Sequence, residues 1–293
     1  MPRMPETIIK TPVYIYPNEN DAVENSEYGG TGFFFQVPSE AFPTKAYTYV
    51  VTNAHLVFRD EIEHPILRIN TVDNNFDFIP TLKEQWVRHP NGDDLAICRV
   101  FGLQDKHEIV ALKKEDLIDM KFINDFNIGP GDEAVMIGRF RVLAGKNKNL
   151  PTHCFGNIAA MNNEPIYNEF TQLMQESFIV EMRSISGFSG SPVIVYIEPM
   201  SFRFKNGFGK TENLEMNYYQ RLLGIVWGHI KYQAKAKNQY DENINIEMDS
   251  AMAGVVPAWK LIDIIDSGDV VKNREENDVQ LKSMEKSIRK SDM

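Results

Sequence analysis

Short runs of β-branched and aromatic residues, bounded by polar turn residues, recur along most of the chain, and this rhythm restricts the fold more than any other feature. The runs are Ile8–Tyr16, Gly32–Val37, Ala46–Thr52, Ile66–Ile69, Asp94–Val100, Ala134–Gly138, His153–Ala160, Phe178–Met182, Pro192–Tyr196, Leu222–Trp227 and Ala253–Val256. About eleven strands with little helix favour an all-β sandwich or barrel over alternating α/β layers. One helix is expected over Ala258–Asp266, opened by Pro257 and closed by Gly268. The charged tail 269–293 carries only a thin apolar stripe, Leu281, Met284 and Ile288, and is expected to fray; the alternative is a docking helix for a partner. Residues 102–131, ending in Gly129-Pro130-Gly131, are expected to connect two β-halves, while Glu198–Gln220 and Lys231–Ser250 stand out as polar insertions.

A net charge of −10 argues against a nucleic-acid backbone or an anionic membrane surface as partner. No run approaches the roughly 18 apolar residues of a membrane span. The sequence has two cysteines, Cys98 and Cys154, expected as reduced core thiols. The N-terminal MPRMPETIIK has no apolar export core, so the expected compartment is the cytoplasm.

The strongest chemical signal is Ser186-Gly187-Phe188-Ser189-Gly190-Ser191-Pro192-Val193. A serine attacks only if a base takes its proton and backbone N–H groups face the oxyanion it creates. Glycine before it allows a backbone conformation in which successive amides, those of Gly187 and Ser189, converge on one point. Glycine after it leaves the approach to Oγ clear. A Gly-x-Ser-Gly-Ser-Pro match by chance is on the order of one in several thousand chains of this length.

Two further segments supply partners. The strand Tyr47–Thr52 ends in Asn53-Ala54-His55, presenting an imidazole able to take and return a proton near neutrality. His89-Pro90-Asn91-Gly92-Asp93-Asp94-Leu95-Ala96-Ile97 places Asp94 at the entry of a buried strand, where a carboxylate can orient that imidazole. Asp93 reads as turn chemistry. His107-Glu108 lacks the second histidine of a zinc-peptidase motif, and no cofactor or metal is implied.

The order His55, Asp94, Ser189 resembles the chymotrypsin/trypsin family, in its bacterial disulfide-poor branch, similar to the high-temperature-requirement peptidases and glutamyl endopeptidases. Further likenesses are Gly30-Thr31-Gly32-Phe33 before the histidine strand, Pro130–Gly138 as the opening strand of a second barrel, Phe155–Ala159 as the next, and Leu223–Gly228 as the strand that pairs with substrate backbone. The resemblance covers about residues 8–266. It implies two antiparallel six-stranded β-barrels with a C-terminal helix: first barrel about 8–101, connector 102–131, second barrel about 132–256 and helix 257–267, making residues 1–268 one peptidase domain. It implies a serine endopeptidase acting on protein or peptide, without cofactor, and a cytoplasmic peptidase invites a regulatory partner.

Two departures stand out. Phe188 replaces the acidic or amide residue usual before the nucleophile, so activation by a newly cut N-terminus is not expected. Val226 stands where the family often places a polar residue near the triad carboxylate. By the same resemblance, the pocket for the side chain before the scissile bond is walled by Arg183, Ser186, Trp227, Gly228, His229 and Gly254. Arg183 and His229 would suit an acidic side chain, although the sequence does not decide that preference. The competing reading is a catalytically silent copy of the same fold used for binding or regulation.

Overall fold

The structure, a computed structural model, describes residues 4–26, 28–59, 61–161, 164–182, 187–197, 202–204, 211–213, 219–237 and 243–291. After the short helix α1 (Glu6–Ile9), the first half comprises β1 (Pro12–Tyr16), helix α2 (Glu19–Glu24), β2 (Gly30–Pro38), β3 (Ala46–Thr52), β4 (Ile66–Asn70), β5 (Phe76–Pro80), β6 (Trp86–Arg88) and β7 (Ala96–Arg99). These strands pair antiparallel in the order β5-β4-β1-β2-β3-β7-β6, and the two-residue β8 (Ala111–Leu112) joins β2 in parallel.

Strand alternation decides what each face does. On β2 and β3, Phe34 and Val50 point into the first half with Val13, Leu67, Ile69, Trp86 and Cys98. Their neighbours Phe33, Phe35, Tyr49 and Val51 point the other way, into a larger core that also contains Met136, Val180, Phe188, Val193 and Ile225 of the second half. These strands are therefore buried on both faces at their centres, which explains the apolar runs Phe33–Phe35 and Tyr49–Val51.

Helix α3 (Met120–Phe126), capped by Asp119, leads into the second half. There β9 (Glu133–Gly138), β10 (Thr152–Met161), β13 (Phe178–Met182), β14 (Pro192–Ile197), β17 (Tyr219–Lys237) and β18 (Asn243–Pro257) close into a six-stranded barrel, β10-β13-β18-β17-β14-β9. Two hairpins stand outside it: β11 (Ile166–Asn168) with β12 (Leu173–Gln175), and β15 (Phe202–Phe204) with β16 (Thr211–Asn213). Helix α4 (Lys260–Ile265) buries Leu261, Ile264 and Ile265, and α5 (Gly268–Ser291) follows. The architecture is the expected trypsin-like double barrel with a C-terminal helix. The first half is a curled sheet with β5 and β6 as its ends, whereas hydrogen bonding closes the second into a ring.

Three local expectations change. Residues 8–16 are not one strand: α1 takes the first two, and Thr11 Oγ1 bonds Ile8 O before β1 starts. The insertion 231–250 is mostly not a loop, because β17 and β18 run on beyond the barrel as a two-stranded arm paired from Lys231↔Asp249 to Lys237↔Asn243. The tail is helical to Ser291, and its first half is docked. Asp278 of α5 accepts Ser39 Oγ (2.8 Å) and the Tyr47 hydroxyl, Arg99 bonds Asn273 and Asn277, and Arg274 reaches Ile265 O. Polar contacts hold the helix to the first half, while Met284 of the apolar stripe is 60% exposed.

Candidate active site

Antiparallel pairing of Thr52 with Ala96 brings the end of β3 beside the start of β7. Asn53 Nδ2 donates to Asp94 O (2.8 Å), locking the two strand ends together. The next turn, 54–56, is a 3-10 turn that presents His55 to Asp94 twice. Its backbone N–H donates to Oδ1 (2.9 Å), and Nδ1 lies 2.6 Å from Oδ2. Asp94 is fully buried. With that carboxylate ionised, Nδ1 carries the imidazole proton and Nε2 is the free base.

Asp93 turns elsewhere. Its carboxylate meets Lys260 Nζ (3.2 Å) and His89 Nδ1 (3.3 Å), tying the loop to α4.

Two supporting residues were missed in the sequence. Asn168 Nδ2 approaches Asp94 Oδ2 at 3.4 Å, and Gln175 Oε1 accepts the Asp94 N–H at 3.0 Å. Both side chains are buried and both come from the β11–β12 hairpin, so a donor for Asp94 arrives from there, with Val226 unable to supply one. Strands of three residues are too short to show a period, and nothing in the sequence marked this segment.

Ser189 sits in a turn clamped between the halves. Thr31 N donates to Ser189 O (2.9 Å), Thr31 Oγ1 to Gly187 O (3.3 Å), and Gly190 N to Val226 O (2.8 Å). Gly187 and Gly190 have φ of +115° and +83°, values that disfavour any side chain, and a Cβ on Gly190 would fall 1.9 Å from Thr31 O. Phe188 is buried and faces Phe140, so an aromatic ring takes the place of the usual acid. Among the described residues the N–H groups of Gly187 and Ser189 have no protein acceptor.

The His55–Asp94 pair and Ser189 are not joined, and His55 and Ser189 line two separate cavities. Ser189 Oγ is directed to Trp227 O at 3.4 Å. The Phe170 ring, at the tip of the β11–β12 hairpin, stacks on the His55 imidazole with centroids 4.1 Å apart and planes 14° apart. His55 lines a cavity of about 470 Å³ and Ser189 one of about 310 Å³; Phe170 is the residue common to both walls. The same ring approaches Gly228, where a Cβ would meet it at 3.0 Å.

Of the expected pocket residues, Arg183 and Ser186 lie outside the described residues. Gly228 and His229 line the cleft with Ser189, and His229 Nδ1 is 3.6 Å from Asp249. Trp227 turns its ring onto Gly254, leaving 2.2 Å to a Cβ there, and donates Nε1–H to Ser177 Oγ (3.1 Å). Burial pushes the Cys98 and Cys154 thiols up to about 12 and about 11, so neither supplies a thiolate nucleophile near neutrality. Among the described residues no group of three or more His, Cys, Asp or Glu could hold a metal.

No protein-family model matches the chain, and no curated protein does. Among solved structures the chain is similar to the protease domain of MamO from Magnetospirillum magneticum in its apo form. The TM-score is 0.52 at 14% identity, covering 89% of this chain and 99% of that one. It is also similar to the scabies mite inactivated protease paralogue S-I1, with a TM-score of 0.49 at 12% identity, covering 90% and 96%. The likeness to the MamO domain is one of fold.

Proposed function

We propose that the chain is a serine endopeptidase with Ser189 as nucleophile, His55 as base and Asp94 as the group that orients and stabilises the imidazolium. The observations that support this reading are the doubly bonded His55–Asp94 pair and, across Phe170 from it, a serine turn with positive-φ glycines at 187 and 190. In the reaction, Nε2 of His55 takes the Ser189 proton as Oγ bonds to the substrate carbonyl carbon. The N–H groups of Gly187 and Ser189 receive the oxyanion. Collapse breaks the C–N bond, His55 returns the proton to the departing amine, and water then releases the acid by the same route.

The chemistry requires two movements: Ser189 Oγ must leave Trp227 O, and Phe170 must leave the imidazole. Those two contacts favour a second reading, in which the fold is catalytically silent and serves as a binding or regulatory module. Labelling by an active-site fluorophosphonate separates the readings. Wild-type protein is expected to label and Ser189→Ala to be blank, with turnover falling roughly 10⁴–10⁶-fold. Asp94→Asn is expected to cost on the order of 10⁴-fold and Asp93→Asn little. Silence of folded wild-type protein and of the Phe170→Ala variant would favour the binding module.

A further inference from the structure

β17 loses a neighbour just where Ser189 begins. β14 pairs with it only up to Pro192↔Ile225, and Gly190 and Ser191 then bond Val226. From there to Lys237 the strand keeps β18 on one side, and among the described residues no strand pairs with the other. An irregularity at Val226/Gly228 makes Trp227 an extra residue of β17, whereas the one at Ile230/Lys231 puts its extra residues, Ser250 and Ala251, in β18, so β17 runs on unbroken from Gly228.

We infer that this free edge, residues 227–237, is an extended docking rail for a peptide substrate, and that the segment it takes alternates apolar and polar residues, with an acidic one opposite Lys235. The inference rests on the peptidase reading for the identity of the occupant. The edge starts at the Ser189 turn, so a chain whose scissile bond lies there can continue along it as an added strand, bonded through backbone groups. At about 3.3 Å per residue the edge accommodates roughly ten residues.

Side-chain chemistry follows from the register. Tyr232, Ala234 and Ala236 share one face with their partners Met248, Ile246 and Ile244. Tyr232, Ile246 and Met248 are 49%, 42% and 43% exposed. A two-stranded ribbon with an open apolar face is marginal by itself, and a third strand with apolar residues on that side completes it. The opposite face of β17 carries Lys231, Gln233 and Lys235. Lys231 is shared with Glu247 (2.7 Å) and Glu169 (3.6 Å), while Lys235 is exposed with no ion-pair partner among the described residues. Lys231 also faces Asp249 in the register, so Lys235 is the position directly across from which an acidic residue makes the favourable cross-strand pair.

The test uses the full chain carrying Ser189→Ala and a fluorescein-labelled peptide of alternating Val and Glu, about ten residues long to span the edge. Fluorescence anisotropy is compared with a Val/Lys peptide of equal length. It is then repeated on a variant in which residues 234–246 are replaced by Asn-Gly, a two-residue hairpin turn joining the partners Gln233 and Glu247. The Val/Glu peptide is expected to bind in preference to Val/Lys, to weaken roughly tenfold or more on the shortened arm, where several cross-strand pairs are lost together, and to lose its advantage on Lys235→Glu. Equal affinity on the full and shortened arms, or no binding of either peptide to the full chain, overturns the rail. Fluorophosphonate labelling of the full and shortened chains with Ser189 intact keeps the two ideas apart. Equal labelling without arm-dependent binding rejects the rail alone, whereas arm-dependent binding without labelling rejects the peptidase reading and leaves the arm a docking surface.

Discussion

Removing the Phe170 ring should speed the reaction of Ser189 with a small phosphonate. The ring lies flat on the His55 imidazole, and the residue is 40% exposed. Of the roughly 200 Å² that a phenylalanine can bury, about 120 Å² is therefore covered, which at about 25 cal/mol per Å² favours the closed hairpin by about 3 kcal/mol. That figure is a ceiling, because the displaced ring finds other surface and the released tip gains freedom. The stacked contact alone, at about 0.5–1.5 kcal/mol, sets the floor. Phe170→Ala should therefore raise the labelling rate roughly 2- to 160-fold. The assay is the pseudo-first-order rate of fluorophosphonate labelling at Ser189, with a thermal melt to confirm folding. An unchanged or slower rate in folded Phe170→Ala would refute the idea that the ring obstructs the base.

Asn168→Ala should lower kcat/KM about tenfold, mostly through kcat, since a donor to the charged Asp94 is lost; a pure KM effect would assign Asn168 to substrate binding instead. Asp278→Ala should destabilise the fold by about 3 kcal/mol, read by denaturant unfolding, because two donors lose a charged acceptor. Hydrogen bonds from Tyr47 and Ser39 hold the Asp278 pKa below its ordinary value despite burial. Its stabilisation is thus complete above the unfolded carboxylate pKa and fades as pH falls through the lowered value, so wild type should converge on Asp278→Asn only below that lowered value. Cys98 and Cys154 should resist iodoacetamide at neutral pH until denaturant is added, as measured by mass. Gly190→Ala should abolish labelling and lower the melting temperature, since its Cβ would collide with Thr31 O at a positive φ.

How much was legible depends on whether the signal was local. His55, Asp94 and Ser189 each sit at the edge of a strand with strong apolar patterning, so strand and side chain could be read together. The β11–β12 hairpin offered no such handle, because its three-residue strands expose Leu173 and Met174 while burying Asn168 and Gln175, the reverse of what polarity suggests. The arm did carry a period of two, in Tyr232, Ala234 and Ala236 and again in Ile244, Ile246 and Met248. Alanine and the interleaved charges weakened it, since both are poor strand formers. Helix α5 shows the same difficulty in another form: its anchors are Asp278, Asn273 and Asn277, and an amphipathic stripe says nothing about polar docking.

Without a disulfide between the halves, the relative placement of His55 and Ser189 rests largely on Thr31. Its N–H and hydroxyl hold Ser189 O and Gly187 O, the Arg139 N–H donates to its hydroxyl at 2.8 Å, and Thr52 Oγ1 donates to its carbonyl at 2.7 Å. Thr52 lies three residues before His55, on the strand that β2 pairs with through Phe33↔Val51. One short backbone path therefore runs from the imidazole, through β3 and β2, to the serine turn. Because hydrogen bonds hold that path at each step, the proposed reaction predicts that the movements joining Nε2 and Oγ fall on side chains and on the hairpin tip at Phe170 rather than on a hinge between the two halves.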